Sequence, residues 1–347
     1  MNYVTRQYRI KDSSCRNKLS KMASSVNYVW NYCNEVNQES WRKFNRFYTG
    51  FDLNNKTKGC SEELGISAQT VQAVCKEYAT KSWKYKKAKL KWRSYKRSLG
   101  WIPFSGQQIK VQHDTIKYLG NYFKVWLSRP IEGIIKTGSF TQDSRGRWYA
   151  NLVIETSDFG RIPTGNKVGI DLGVSNIATL SNGAKISRNS YTNLYAKKLA
   201  LAQRANKRRL VTSIHAKIKN KRKDWNHKTT HQLIHDYDYI AIGNVKASEF
   251  MQTRLSKGIS DASWYTFKTI LVYKAKRFGV EFREVDESFS TVTCSICGKR
   301  TGPDGLSQLG VREWICSSCG TSHHRDVNAA INILLSAQGI ERRRESV

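Results

Sequence analysis

Proline is nearly absent from this chain: four residues in 347 (Pro103, Pro130, Pro163 and Pro303), with none in the first 102. Proline removes a backbone donor and breaks helix interiors, so its absence leaves the opening stretch free to form long helices. Acidic residues are also scarce, with 27 Asp+Glu against 59 Lys+Arg and a formal net charge of +32. A self-repelling excess of this size opposes a compact fold unless a polyanion neutralises it. Nucleic acid is the partner this implies, because phosphate contacts release counterions and drive binding. A basic membrane-surface protein would gather its charge on one amphipathic helix or tail, whereas here it runs the whole length. No segment approaches the roughly 18 uninterrupted apolar residues of a membrane span. The N-terminus, MNYVTRQYRIKDSS, lacks the apolar stretch of a secretory signal. A soluble, cytoplasmic protein is therefore expected.

What is present falls into distinct segments. The residues YVTRQYRI alternate as a strand does, and about 14–98 reads as two or three helices joined by a polar, Gly-containing loop around 49–61. The last of these helices is expected at 81–97, KSWKYKKAKLKWRSYKR, with nine basic residues in 17 and Trp83, Tyr85, Trp92 and Tyr95 between them. From about 99 to 157 the runs FKVWL, SFTQ and RWYANLVIE read as short strands, with DSRG as a hairpin turn. FGRIPTGN (159–166) is punctuated by Pro and Gly and marks a domain boundary.

A different rhythm follows. KVGIDLGV, IATLS and AKIS read as three antiparallel strands, and a long basic helical stretch is centred on ALAQRANKRRLVTSIHAKIKNKRKDW. YIAIGNV (239–245) is the next strand, and a helix is expected over 260–278, from Ser260 as N-cap to Gly279. VEFREVDE is a further strand, and VNAAINILL is the last helix. This order is that of an RNase H-like α/β core, whose first, fourth and fifth strands are parallel neighbours.

The eight cysteines divide into two groups. Cys15, Cys33, Cys60 and Cys75 have no ligand spacing and read as small packing residues. Cys294, Cys297, Cys316 and Cys319 form two CxxC pairs with 18 residues between them, the pattern of four thiolates around one structural Zn²⁺. Gly298 and Gly320 follow the pairs and permit tight knuckles, while His323 and His324 read as bystanders to a full shell.

Asp171, inside the apolar run VGIDLGV, is costly to bury unless a metal or a hydrogen-bond partner compensates it. Asp326 opens the last helix, where capping and the helix dipole already favour an acid. A two-metal phosphodiesterase needs about three carboxylates holding two Mg²⁺ roughly 3.5–4 Å apart.

GIDLGV, KIKNKRKDW, the TCSICG and CSSCG pair and RDVNAAINIL together resemble the transposon-encoded TnpB proteins, relatives of the type V CRISPR effectors. The resemblance covers about 165–335, and is weaker over 1–157, where it rests on element order and on SAQTVQAV. It implies a RuvC-type nuclease domain at 165–290 and 323–347 with an inserted zinc ribbon at 291–322. It further implies a β-barrel-like wedge domain at 1–13 and 99–157 carrying a helical recognition domain at 14–98. A guide RNA, a target double-stranded DNA cut at a single site, catalytic Mg²⁺ and a prokaryotic cytoplasmic, nucleoid-associated location are implied with it. Asp171 and Asp326 match the first and last catalytic carboxylates. The family usually ends the fourth strand with Glu, whereas Gly243 and Asn244 stand there in this chain. Glu287 ends the fifth strand, where the family more often has proline, and a subset of the family is similar in such a rearrangement. As parallel neighbours the two strands share an edge, so Glu287, or Asp286 beside it, is the candidate third carboxylate; a solvated strand-end glutamate is the alternative.

Lys84, Lys87, Lys91, Trp92 and Arg93 suit an RNA or heteroduplex backbone with rings stacking on unpaired bases. Arg208, Arg209, Lys217, Lys221 and Arg222 suit phosphates. A nuclease-dead, RNA-guided DNA-binding protein is the competing reading, since Gly243 supplies no carboxylate. A DDE-like transposase fits less well with two CxxC pairs between the last strand and the last helix. Monomer and dimer both remain open.

Overall fold

In the computed structural model, which describes residues 2–11, 15–156, 161–173, 176–187, 190–245, 263–304, 308 and 310–340, the chain divides into two units, Met1–Ser157 and Asp158–Val347. The proline-free opening is helical after the strand β1 (Asn2–Ile10). Helix α1 (Cys15–Phe44) buries Leu19, Ala23, Val26, Trp30 and Cys33, a stripe at three- and four-residue spacing. It ends on Arg42 and Lys43, suited to the negative end of the dipole, with Asn45 left-handed at φ 48°.

The stretch expected as a loop at 49–61 contains α2 (Gly50–Lys56) and α3 (Cys60–Glu63). Thr49 and Asp52 form a reciprocal capping box at the start of α2, which offsets the cost of nucleating so short a helix. Helix α4 (Ala68–Tyr85) is capped by Ser67 and buries Val71, Val74, Cys75, Tyr78 and Ala79.

The helix expected over 81–97 stops at Tyr85, with Lys86 left-handed at φ 50°, and the basic run continues as irregular chain. A row of asparagines on α1 explains this. Asn37 Nδ2 donates to Ala88 O (3.0 Å) and Asn34 Nδ2 to Leu90 O (2.9 Å), while Asn34 Oδ1 accepts from Leu90 N (2.8 Å). Asn31 makes the same two-way contact with Arg93, at 2.7 and 2.9 Å. These side chains satisfy the backbone groups that a helix would otherwise pair internally, so tertiary hydrogen bonds override local helix propensity.

The strands of the first unit are β2 (Trp101–Ser105), β3 (Ile109–Gln112), β4 (Thr115–Tyr118), β5 (Asn121–Trp126), β6 (Ile134–Gln142) and β7 (Trp148–Thr156). With β1 they form one antiparallel sheet in the order β2-β6-β7-β1-β5-β4-β3. Pro103 lies on the end strand β2, where a missing backbone donor is tolerated. Phe140 on β6 touches Phe123 on β5 and Tyr118 on β4, with ring centroids 5.3 and 5.4 Å apart. Those strands stand near opposite ends of the sheet, so it curls into a nearly closed, barrel-like shape around an aromatic core.

The second unit holds β8 (Lys167–Leu172), β9 (Asn176–Leu180), β10 (Lys185–Ser187), β11 (Tyr239–Gly243) and β12 (Glu281–Val285) in the order β10-β9-β8-β11-β12. β8, β11 and β12 are parallel neighbours, and β9 and β10 run antiparallel. The basic helical stretch comprises two helices, α5 (Tyr191–Arg204) and α6 (Arg208–Asp236), with Asn206 left-handed between them. Helix α7 (Trp264–Phe278) ends at Gly279, whose φ of 69° suits a C-cap; the expected cap Ser260 lies outside the described residues.

Side-chain alternation gives the sheet two faces. Val168, Ile170, Leu172, Ile240 and Ile242 pack with Leu233 and Ile234 of α6 and with Phe267 and Leu271 of α7. The last helix, α8 (Arg325–Ala337), covers the other face and follows a short antiparallel pair, β13 (Glu313–Ile315) and β14 (Ser322–His324). Among the described residues no helix is long and apolar enough to cross a membrane.

Candidate metal centres and nucleic-acid surfaces

Gly169 brings α8 against the sheet. A Cβ there would lie 2.0 Å from Ala330 O, so only glycine admits so close an approach. Asp171 is two residues further along β8 on the same face, about 6.6 Å away. Asp326 is one turn before Ala330, about 6 Å back along α8. The one close contact therefore carries both acids to the same edge. On β12 the alternation that turns Phe282 to the α6 and α7 side sends Val285, and Glu287 beyond it, to the α8 side. Asp171, Glu287 and Asp326 thus gather at the carboxyl edge of the three parallel strands.

Electrostatics agrees with this placement. Burial, then the neighbouring carboxylates of Glu287 and Asp326, hold Asp171 well above the usual carboxylate range. Burial, with Asp286 beside it, pushes Glu287 up to about 7. Glu287 Oε2 is buried and has no hydrogen-bond partner among the described residues. Asp326 is held by Arg312, whose Nη1 stands 3.0 and 3.3 Å from its two oxygens. A crowded set of desolvated carboxylates with an orphaned oxygen is the donor set that a hard divalent cation fits. Asp286 is exposed and accepts from Ser288 N and Oγ, so its carboxylate serves the turn after β12.

The four sulfurs of Cys294, Cys297, Cys316 and Cys319 all lie within 4.8 Å of one another. Two of the separations, Cys294 to Cys319 and Cys297 to Cys316, are 3.6 Å. Four thiolates at Zn–S bond length in a tetrahedron stand about 3.8 Å apart, so the cluster has the size one Zn²⁺ takes. His323, expected to be a bystander, has Nε2 3.0 Å from Cys294 Sγ, within range of an N–H···S bond that would steady a thiolate. Asn328 and Asn332, one turn apart on α8, both donate to Ser290 O and Thr293 O, and Asn328 Oδ1 accepts from Ser295 N at 2.8 Å. The segment between Glu287 and Cys294 is thereby fastened to the helix that carries Asp326.

Of the basic residues singled out in the sequence, Lys84, Lys87, Lys91 and Trp92 are exposed, as are Arg208, Arg209, Lys217 and Lys221. Arg93 is engaged within the protein: Nε donates to Asn27 Oδ1 (2.7 Å) and Nη2 to Leu99 O (2.8 Å), with its guanidinium near the Trp30 and Trp101 rings. Arg222 donates to Thr192 Oγ1 and ties α6 to α5. The sequence reading missed an aromatic group beside the basic run. Trp41 stacks on Phe47 at 4.4 Å, and Phe47 meets Trp83 edge-on at 5.6 Å. It also missed the asparagine row, although Asn27, Asn31, Asn34 and Asn37 repeat at helical spacing.

The chain thus combines a strong basic excess, a parallel-stranded acidic edge and a four-thiolate cluster. Residues 154–254 match the family described as “Probable transposase” (OrfB_IS605), and residues 264–333 match the “Cas12f1-like, TNB domain”. A protein of Streptomyces pristinaespiralis named “Putative RNA-guided DNA endonuclease” is 35% identical over 63% of this chain and 59% of its own length. The “TnpB-like protein L79” of Acanthamoeba polyphaga mimivirus is 30% identical over 61% of this chain and 45% of its own. The match thus spans little more than half of the first relative and less than half of the second. The fold is shared with Cas12f1, solved by cryo-EM as a Cas12f1-sgRNA-target DNA complex. That likeness has a TM-score of 0.61 at 14% identity, covering 92% of this chain and 82% of that one. Over these stretches the chain is similar to proteins of the TnpB family.

Proposed function

We propose that the chain is an RNA-guided DNA endonuclease, with an RNase H-like, RuvC-type core cutting target DNA by phosphodiester hydrolysis at one site. The observation that carries this reading is the convergence of Asp171, Glu287 and Asp326 on one sheet edge, with Glu287 Oε2 buried and unpartnered. Asp171, Glu287 and Asp326 would hold two Mg²⁺, which when bound supply an activated water and a stabilised leaving oxygen. The protein's part is positioning. β8 fixes Asp171, the turn after β12 places Glu287, α8 fixes Asp326, and Arg312 holds the Asp326 carboxylate. Cys294, Cys297, Cys316 and Cys319 would hold a structural Zn²⁺ in a ribbon that keeps the Glu287 segment pinned to α8.

Guide RNA and double-stranded target DNA are the partners this reading requires, and the relatives' names support them. The exposed cations of the 84–91 run and of α6 would track phosphates, while Trp83, Trp92 and the Trp41–Phe47 stack offer faces to unpaired bases. Base pairing would carry most of the target specificity.

The test is plasmid cleavage in Mg²⁺ by the protein purified with its own RNA, comparing wild type, Asp171→Ala and Glu287→Ala. Cutting by wild type that both substitutions abolish, with DNA binding retained, is the expected result. Tight guided binding without cutting would leave a programmable DNA-binding protein. Equal cutting by wild type and Glu287→Ala would place the third carboxylate elsewhere.

A further inference from the structure

Gly243 ends β11 on the α8 side of the sheet, the side that carries Asp171 and Glu287. Its backbone does not need glycine, since it is not among the residues with positive φ. Glycine inside a strand weakens it and offers no side chain to pack, so its presence marks a close approach by something else. That something is Glu287. A Cβ at position 243 would lie 2.2 Å from Glu287 Oε2, 3.1 Å from its Cβ and 3.2 Å from its Cδ. The smallest side chain would claim the volume the carboxylate fills. The Glu287 backbone is held, since Asn244 N donates to Val285 O (2.9 Å) and Glu287 N approaches Asn244 Oδ1 (3.4 Å), so a Cβ at 243 is relieved by swinging the flexible carboxylate out of this seat.

We propose that Gly243 is a positioning residue for Glu287, its missing side chain being the seat of the Glu287 carboxylate at the metal-binding edge. A side chain at 243 would turn the Glu287 carboxylate out of this seat. The glycine that takes an acid away from β11 is what admits the acid from the neighbouring strand. This inference rests on the reading of Glu287 as a metal-binding carboxylate.

The two positions should behave as one unit in a double-mutant cycle. The full-length protein is prepared as wild type, Gly243→Ala, Glu287→Ala and the double variant. Mn²⁺ affinity is read by calorimetry, and melting temperature is followed in chelator. Gly243→Ala should weaken Mn²⁺ binding about 10- to 100-fold, the range for residues that orient a metal ligand. Glu287→Ala should weaken it at least as much, and the double variant no further than Glu287→Ala alone. In chelator the double variant, with the colliding carboxylate gone, should melt with Glu287→Ala. That last comparison decides the matter even if Gly243→Ala alone does not fold. Wild-type Mn²⁺ affinity in Gly243→Ala, or a double variant melting well below Glu287→Ala, overturns the inference and leaves the role of Glu287 intact. Wild-type affinity in Glu287→Ala removes the metal-binding reading itself, and the inference with it.

Discussion

Replacing Glu287 by Gln should stabilise the metal-free protein at pH 8 while abolishing most of its stabilisation by Mg²⁺. Burial and the neighbouring Asp286 push Glu287 from its ordinary value of 4.5 up to about 7. Between those two values the folded chain keeps a proton that the unfolded chain has released, so stability falls as pH rises from 4.5 and the loss is complete above 7. A shift of that size corresponds to at most about 3 kcal/mol. Partial exposure of the side chain screens the charge, leaving about 1–2 kcal/mol. For a unit of this size that is roughly 3–6 °C in melting temperature. Glutamine fills nearly the same volume and carries no charge, so its variant should lack this share of the decline. The assay is thermal denaturation at pH 5 and pH 8, each with chelator and with Mg²⁺. At pH 5 in chelator the two proteins should melt together, at pH 8 the variant should melt higher, and Mg²⁺ should reverse that order by raising wild type alone. A variant that gains no advantage at pH 8, or that Mg²⁺ stabilises as well as wild type, would refute the assignment of Glu287 as a crowded, cation-seeking carboxylate.

Gly169→Ala should force α8 off the sheet, since its Cβ would meet Ala330 O at 2.0 Å; an overpacking cost of about 1–3 kcal/mol and weaker Mn²⁺ binding are expected by melting and calorimetry. Asn34→Ala should cost about 2–4 kcal/mol, because it removes the side-chain partner of both Leu90 N and Leu90 O and leaves the Tyr78 hydroxyl only its longer bond to Ala88 O. Limited proteolysis should then cut within 87–93 at protease levels that spare wild type. Cys316→Ser should abolish bound zinc by elemental analysis and loosen the 290–295 segment that Asn328 and Asn332 hold, seen as faster amide exchange there. Replacing Lys84, Lys87 and Lys91 by Gln should flatten the salt dependence of RNA affinity by about 0.7 in log–log slope for each phosphate that is no longer neutralised.

Local signals carried much of this protein. Charge balance pointed to a polyanion, and the four cysteines announced a four-thiol cluster by spacing alone, because a CxxC knuckle is a property of a few adjacent residues. Alternating runs such as RWYANLVIE were legible because burial imposes a fixed period on a strand, and the lack of proline left the 14–98 stretch legible as helical. The basic run at 81–97 misled, because its helix-forming composition is outweighed by asparagine side chains some 50 to 60 residues earlier, an interaction no local window contains.

The acidic edge belonged to the tertiary structure in a stronger sense. Each of Asp171, Glu287 and Asp326 has an ordinary local explanation, and only the parallel pairing of β8, β11 and β12 under α8 gathers them on one side. In the sequence Gly243 reads as a carboxylate lost. In the folded chain it is the space that another carboxylate fills, because two side chains from adjacent strands cannot occupy one volume.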